Sequence, residues 1–241
     1  MRYAAGKVYQ GKRWKHLLSG LADRWVEPFC GGLGVYPEIH TTYTSALLSD
    51  LSPVTDMWNA AKLGWEPDLT PIDKDQWLRH RASAFGSDPC PQDVYAVHCR
   101  SFGGKAKGGW AKEDHMPSGL RRFRAVVKAL RASECAIHRC DYRKTLRECG
   151  NGDAAYLDPP YGNNDGFWII PNAAFDLAEM VAHAEAAAAR GAVVLISCYT
   201  ELDPDKWDKI MVNRDSAISH NRKTVVTKYN DEFLWRARTC P

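Results

Sequence analysis

Short apolar runs alternate with amphipathic stretches along most of the chain. Runs at residues 45–48, 154–157 and 192–197 have the length of strands buried on both faces of a sheet. Segments such as 10–21, 54–63 and 172–190 instead place apolar residues at helical spacing. Strands that alternate with helices predict an α/β fold with a Rossmann-like, doubly wound sheet.

The alternation weakens between residues 65 and 131, where four prolines interrupt the first half of the segment. The second half mixes glycine, aromatic and basic residues, and then carries an apolar stripe at helical spacing. We interpret 65–131 as an insertion into one domain formed by residues 1–64 and 132–241.

Basic residues are concentrated in this insertion, although the whole chain has a net charge of only +3. Basic side chains mixed with glycine and aromatic rings suit a phosphate backbone and unstacked bases, so we predict a nucleic-acid-binding region. The alternative is an amphipathic helix with a solvated basic face. The candidate contacts are Arg100, Lys105, Lys107, Arg121, Arg122, Arg124 and Lys128, with Asn221 and Arg222 near the other end of the chain.

Composition excludes several classes of protein. The 241 residues are 45% apolar and 25% charged, as in a globular protein, and no apolar stretch approaches the roughly 20 residues of a membrane helix. The polar, basic first residues do not resemble a secretory signal. Eight scattered cysteines without a CxxC pair indicate reduced thiols rather than a metal site, which predicts a cytoplasmic protein without a metal.

The stretch Asp158-Pro159-Pro160-Tyr161, here called the DPPY loop, follows directly after the apolar run 154–157. Two prolines fix the chain there, so a carboxylate, a carbonyl and an aromatic ring are held at the carboxyl end of a strand. Ligands bind at that end in open α/β sheets. The set suits an amino group that donates to the carboxylate and carbonyl while its heterocycle stacks on the ring. The alternative is a proline-rich turn with a capping aspartate.

A glycine turn, residues 31–34, follows the predicted first strand and precedes Asp50 at the end of the second. Glycines let the backbone approach a ligand closely, and an acidic residue after the second strand can hold ribose hydroxyls. The turn has neither the P-loop pattern nor the Gly-x-Gly-x-x-Gly dinucleotide pattern, which leaves a nicotinamide oxidoreductase as a distant alternative. The pair favours an adenosine-containing cofactor.

Taken in order, the segments RYAAGK, VEPFCGGLGV, LLSD, HRCDY and AAYLDPPY resemble those of the Dam-like (D12 class) adenine-specific DNA methyltransferases. The SFGGK segment of the insertion is similar to that of the small phage-type branch. This resemblance implies S-adenosylmethionine as cofactor, double-stranded DNA as partner and adenine N6 as the methylated atom. It leaves open a restriction endonuclease partner, the recognition sequence and the oligomeric state.

The resemblance also implies a role for individual residues. Lys7 corresponds to a residue near the methionine carboxylate, Asp50 to the ribose ligand and Asp141 to the ligand of the cofactor adenine. The implied cofactor residues are Tyr3, Lys7, Glu27, Phe29, Gly31, Asp50, Asp141 and Asp158, and the implied target-base residues are Asp158, Pro159 and Tyr161. The chain departs from the family at Leu33, where the family often has glycine or another small residue.

Two alternatives keep the fold but change the function. The DPPY loop could present an amino group of RNA or of a protein amide rather than of DNA. A catalytically silent DNA-binding protein would keep the same fold without turnover. The basic insertion and the length of the resemblance favour DNA, and the intact Asp50, Asp158 and Tyr161 favour an enzyme.

Overall fold

A computed structural model describes residues 7–160, 175–216 and 229–238. Its seven strands form one sheet in the order β3-β2-β1-β4-β5-β7-β6. The strands are β1 (Arg24–Glu27), β2 (Ser45–Asp50), β3 (Glu134–Arg139), β4 (Asp153–Leu157), β5 (Val193–Cys198), β6 (Trp207–Ser216) and β7 (Tyr229–Ala237).

Strands β1 to β5 pair in parallel, while β7 pairs antiparallel with both β5 and β6. This order confirms the predicted α/β class with a Rossmann-like, doubly wound sheet. The strand order reverses between β1 and β4, because β2 and β3 lie on one side of this pair and β5 on the other. A crevice at the carboxyl ends of β1 and β4 is therefore the expected ligand position.

Eight helices lie within the described ranges, four of them between β2 and β3. They are α1 (Val8–Leu18), α2 (Tyr36–Ile39), α3 (Val54–Lys62), α4 (Lys74–Ala84), α5 (Pro91–Arg100), α6 (Met116–Arg131), α7 (Tyr142–Arg147) and α8 (Leu177–Ala189). Gly191, with φ +93°, follows α8 in the left-handed conformation typical of a helix C-terminus. The apolar pattern of the sequence also predicts a strand at 224–228, and that segment lies outside the described residues.

The sheet is covered on both faces, because neighbouring residues of one strand point to opposite sides. On β1, Trp25 belongs to a core formed with α1, α3 and α6, whereas Val26 packs with Leu157 and the residues of α8. The division of the chain into a catalytic domain and an insertion stays a prediction. Helices α5 and α6 of that insertion share the first core, where Tyr95, Phe123 and Trp58 are all fully buried or nearly so.

Helix α6 packs closely on this core. Its residue Phe123 stacks on Trp58 of α3 with ring centroids 5.5 Å apart and contacts Tyr95 of α5 edge-on at the same separation. The apolar face of α6 therefore packs on α3 and α5 within the first core. Among the described helices, none has the length and apolar character needed to cross a bilayer.

Candidate active site

The glycine turn connects β1 to α2 and is held by bonds from two other elements. The amide of Gly31 donates to Asp50 Oδ2 at 2.9 Å, and the carbonyl of Gly31 accepts from Trp58 Nε1 at 2.9 Å. Gly31 has φ +42°, a left-handed conformation that glycine adopts without steric cost. The turn and the end of β2 thus form one bonded unit.

Leu33 adopts φ +50° at the position where the resembling family often has glycine. A left-handed conformation costs a residue with a side chain about 1–2 kcal/mol. The Leu33 side chain is fully buried in the first core, and burying a leucine contributes roughly 1.5–3 kcal/mol. Burial therefore offsets the strain, and the departure from the family pattern is compatible with the turn.

Lys7 reaches the site because its backbone lies directly on the glycine turn. A Cβ atom on Gly34 would lie 2.5 Å from the Lys7 amide nitrogen, so only glycine fits there. Gly11 of α1 allows a similar approach, since its own Cβ would lie 2.9 Å from the Gly34 carbonyl oxygen. Two glycines, one on each segment, let the start of α1 dock on the turn and bury the Lys7 side chain.

The Lys7 ammonium lies between two carboxylates from distant parts of the chain. Its Nζ is 3.5 Å from Asp158 Oδ1 of the DPPY loop and makes a short hydrogen bond to Glu232 Oε1 of β7. Burial alone would lower the pKa of Lys7, but the charges of Asp158 and Glu232 outweigh burial and raise the pKa above its ordinary value. Lys7 is therefore a fixed positive charge at the crevice.

Glu232 is a site residue that the sequence analysis missed. Its side chain is fully buried and also accepts a hydrogen bond from Ser197 Oγ of β5 at 2.7 Å, while Gln10 Nε2 lies 3.5 Å from its other oxygen. An acidic residue within a short segment near one end of the chain carries no local signal for such a role. Only the pairing of β7 with β5 brings it to Lys7.

Glu27 is the last residue of β1, near Asp50 and Asp158, and it is almost completely buried. Its Oε2 accepts from Trp25 Nε1 at 3.0 Å. Burial raises the pKa of Glu27 to about 8, and the negative charges of Asp158 and Asp50 add to this shift against the Trp25 hydrogen bond. The carboxylates of Asp50 and Asp158 thus flank a Glu27 carboxyl group that keeps its proton at neutral pH.

Both oxygens of the Asp50 carboxylate accept hydrogen bonds from nearby backbone and hydroxyl groups. Oδ2 binds the Gly31 amide, while Oδ1 accepts from the amide and the hydroxyl of Ser52 at 2.8 and 2.7 Å. Burial raises the pKa of Asp50, and these hydrogen bonds oppose the shift. Asp50 therefore holds the shape of the turn, and Oδ2, which accepts one hydrogen bond, has a lone pair left for a further donor.

The predicted adenine ligand, Asp141, caps α7 at the end of β3. Its two oxygens accept from the amide and the guanidinium of Arg143, both at 2.8 Å, and Arg143 also pairs with Glu179 of α8. Nearby, Phe29 stacks on Tyr142 with centroids 5.2 Å apart. The contact of Asp141 with a cofactor stays a prediction.

The predicted DNA-binding residues fall into two groups. Arg121, Arg124 and Lys128 are exposed on α6, with Arg124 paired to Glu66, and Lys105 and Lys107 are partly exposed on the loop before it. Arg100 instead is buried, lies 4.1 Å above the Trp110 ring and donates to the Ile72 carbonyl. Arg122 points into the protein, toward the glycine turn.

Four predicted site residues lie outside the described residues, and their roles stay predictions: Tyr3, Tyr161, Asn221 and Arg222. Among the described residues, no group of three or more His, Cys, Asp or Glu side chains is arranged to hold a metal ion.

The chain matches no protein-family model and no curated protein sequence. One similar solved structure is a Streptococcus mutans protein provisionally described as a methyltransferase, in complex with SAH. It covers 96% of each chain at 8% identity and a TM-score of 0.43. Precorrin 8W decarboxylase from Methanobacterium thermoautotrophicum covers 95% of this chain and 89% of its own, at 11% identity and a TM-score of 0.39. Likeness at this level leaves substrate and chemistry to be argued from the site.

Proposed function

We propose that this protein transfers a methyl group from S-adenosylmethionine to the exocyclic N6 amino group of adenine in duplex DNA. The observation that carries the proposal is the position of Asp158. It ends β4 at the point where the strand order reverses, beside Lys7, and within the electrostatic reach of Glu27. An acceptor for an amino group and a candidate cofactor pocket therefore meet at one crevice.

The residues present fit this cofactor by their chemistry. S-adenosylmethionine supplies an electrophilic methyl group on a positively charged sulfur. The carboxylates of Asp50 and Asp158 suit a cation and ribose hydroxyls, and the buried ammonium of Lys7 suits a carboxylate. The glycine turn, held close against α1 and β2, gives the backbone the close approach that an adenosine moiety requires.

On the target side, Asp158 and the Pro159 carbonyl would accept the two hydrogens of the adenine amino group. These bonds favour a pyramidal nitrogen whose lone pair is no longer delocalised into the ring. Lys7, held by Glu232, fixes the Asp158 carboxylate from the opposite side. In-line transfer then depends on positioning and electrostatics, without a covalent enzyme intermediate.

The target base would have to leave the helix before it could reach Asp158, because its amino group is not accessible within a stacked duplex. The sequence assigns Tyr161 to stack on the extruded base, which would recover roughly 1–3 kcal/mol of the unstacking cost. The exposed basic side chains of α6 would contact the phosphate backbone on either side.

The experiment is methyl transfer from labelled S-adenosylmethionine to unmethylated duplex DNA, followed by mass spectrometry of the digested nucleosides. Label in N6-methyladenine is the expected result. Label only in RNA or protein substrates would move the function to a related methyltransferase. DNA binding without cofactor binding by calorimetry would favour a catalytically silent DNA-binding protein.

A further inference from the structure

Arg122 belongs to the basic set on α6, but its guanidinium does not face solvent with the others. Its Nη2 donates to the carbonyl oxygens of Leu33 at 2.8 Å and Gly34 at 3.0 Å, and Nη1 lies 3.9 Å from Glu38. We propose that Arg122 is a positioning residue that sets the shape of the glycine turn for cofactor binding, rather than a contact to DNA. This inference rests on the proposed function of that turn.

Side chains of two helices, α3 and α6, hold the carbonyl groups of the glycine turn. Trp58 of α3 donates to the Gly31 carbonyl, so the carbonyls of Gly31, Leu33 and Gly34 are all held by side chains of α3 and α6. Phe123, the neighbour of Arg122, stacks on the Trp58 ring with an interplanar angle of 24°. The two donors therefore belong to one packed unit.

Holding these carbonyls also fixes the amides on the opposite side of the turn. In a planar trans peptide the C=O and the following N–H point in opposite directions. The bonds from Trp58 and Arg122 thus set the directions of the Gly32, Gly34 and Val35 amides. The left-handed conformation of Leu33 adds a reason for the grip, because a strained turn keeps its shape only where its surroundings hold it.

The adjacent residue provides a matched control. Successive residues of an α-helix are turned by about 100°, and Arg121 accordingly lies on the exposed side of α6. The variants Arg121→Gln and Arg122→Gln therefore remove the same charge from neighbouring positions of one helix. Only the second also removes the two bonds to the glycine turn.

The test measures SAH affinity by calorimetry, and salt-dependent DNA binding, for the wild type and both variants. We expect Arg122→Gln to weaken SAH binding by about tenfold or more, because two charge-assisted bonds are lost. Its KM for S-adenosylmethionine should rise while kcat at saturating cofactor changes little. Arg121→Gln should leave SAH affinity within about twofold and reduce the slope of DNA affinity against salt instead.

Two further variants separate positioning from a general loss of folding. Arg122→Lys keeps the charge but lacks the planar fork, so it should restore part of the SAH affinity. Trp58→Phe keeps an aromatic ring beside Phe123 but removes the donor to Gly31 and some buried volume, and it should weaken SAH binding in the same direction as Arg122→Gln. Circular dichroism and thermal melting should show all variants folded at the assay temperature.

Hydrogen exchange gives a readout that needs no ligand. Amides of residues 31–35 should exchange faster in Arg122→Gln and not in Arg121→Gln. Equal exchange and equal SAH affinity in the two variants would overturn the inference. A wild type that binds no SAH would overturn the proposed function, and the exchange of the turn would then still decide whether Arg122 positions it.

Discussion

Two acidic residues end strands on either side of β1, and the protein holds them in opposite ways. Asp50, after β2, accepts from Gly31 and Ser52, which lie 19 and 2 positions away in the sequence. Asp158, after β4, pairs with Lys7, and Lys7 in turn pairs with Glu232, 225 positions away. The hydrogen bonds to Asp50 come from residues fairly close to it in the sequence, whereas the charged contacts around Asp158 form only when the sheet has assembled. This difference fits the proposed roles, in which Asp50 shapes the cofactor pocket and Asp158 binds the amino group.

The largest effect is expected at Asp158, where Asp158→Ala should reduce methyl transfer by about a thousandfold or more, since it removes an acceptor aimed at the reacting group. SAH affinity should fall much less. Single-turnover rates and calorimetry measure the two quantities separately. An unchanged rate would remove Asp158 from the site, and Asp158→Asn, which keeps one acceptor oxygen, serves as the conservative control.

A loss of stability is expected when the charge of Glu232, the partner of Lys7, is removed. Glu232→Gln should lower the free energy of unfolding by about 3–5 kcal/mol, because the buried Lys7 ammonium loses a charged partner. Urea unfolding followed by tryptophan fluorescence measures this change. The double variant Lys7→Met/Glu232→Gln should recover part of the loss, and strictly additive effects would show that the two side chains do not interact.

Glu27, which feels the charges of both Asp50 and Asp158, should make the stability of the protein depend on pH. Its carboxyl group ionises near pH 4.5 in the unfolded chain, whereas the folded pKa is about 8. The folded state therefore binds more protons between these values, so stability should fall as pH rises from about 4.5 to 8. Glu27→Gln should reduce this slope and be roughly 2–4 kcal/mol more stable than the wild type at pH 8. Parallel slopes for both proteins in urea unfolding would contradict a buried, neutral Glu27.

The smallest effect is expected at Leu33 of the glycine turn, which Asp50 holds. Leu33→Gly relieves a left-handed strain of about 1–2 kcal/mol but removes a fully buried side chain, whose loss costs roughly 2–5 kcal/mol. The net result should be a destabilisation of about 1–3 kcal/mol. Thermal unfolding measures it, with Leu33→Ala as a control that keeps the strain. A glycine variant more stable than the wild type would mean that strain, rather than burial, dominates at this position.

The sequence is most informative where the determining contacts are local. The apolar runs of β2, β4 and β5, the glycine turn with Asp50 and the C-terminal Gly191 of α8 all depend on near neighbours, and each lies where it was expected. Helices α4 and α5 were missed among the prolines, although two local signals were present. Asp73 and Gln76 form a capping box at the start of α4, and Pro91 occupies the first turn of α5.

The parts that could not be predicted depend on contacts between distant segments. Glu232 acquires its role only when β7 pairs with β5, and the inward direction of Arg122 is fixed by the docking of α6 on the glycine turn. A basic residue on an amphipathic helix reads the same in sequence whether it faces a phosphate or a carbonyl. Charge alone therefore could not separate Arg122 from Arg121.

The bond between Lys7 and Glu232 also has a consequence for synthesis on the ribosome. The parallel strands β1, β2, β4 and β5 can pair with one another before β7 has been made, because those parallel pairings do not involve it. The ammonium beside Asp158, however, acquires its buried partner only after residue 232 has been translated and β7 has joined the sheet. A nascent or prematurely terminated chain would thus hold most of the parallel sheet while the proposed site still lacked Glu232, so the proposed methyl transfer should begin only when the polypeptide is nearly finished.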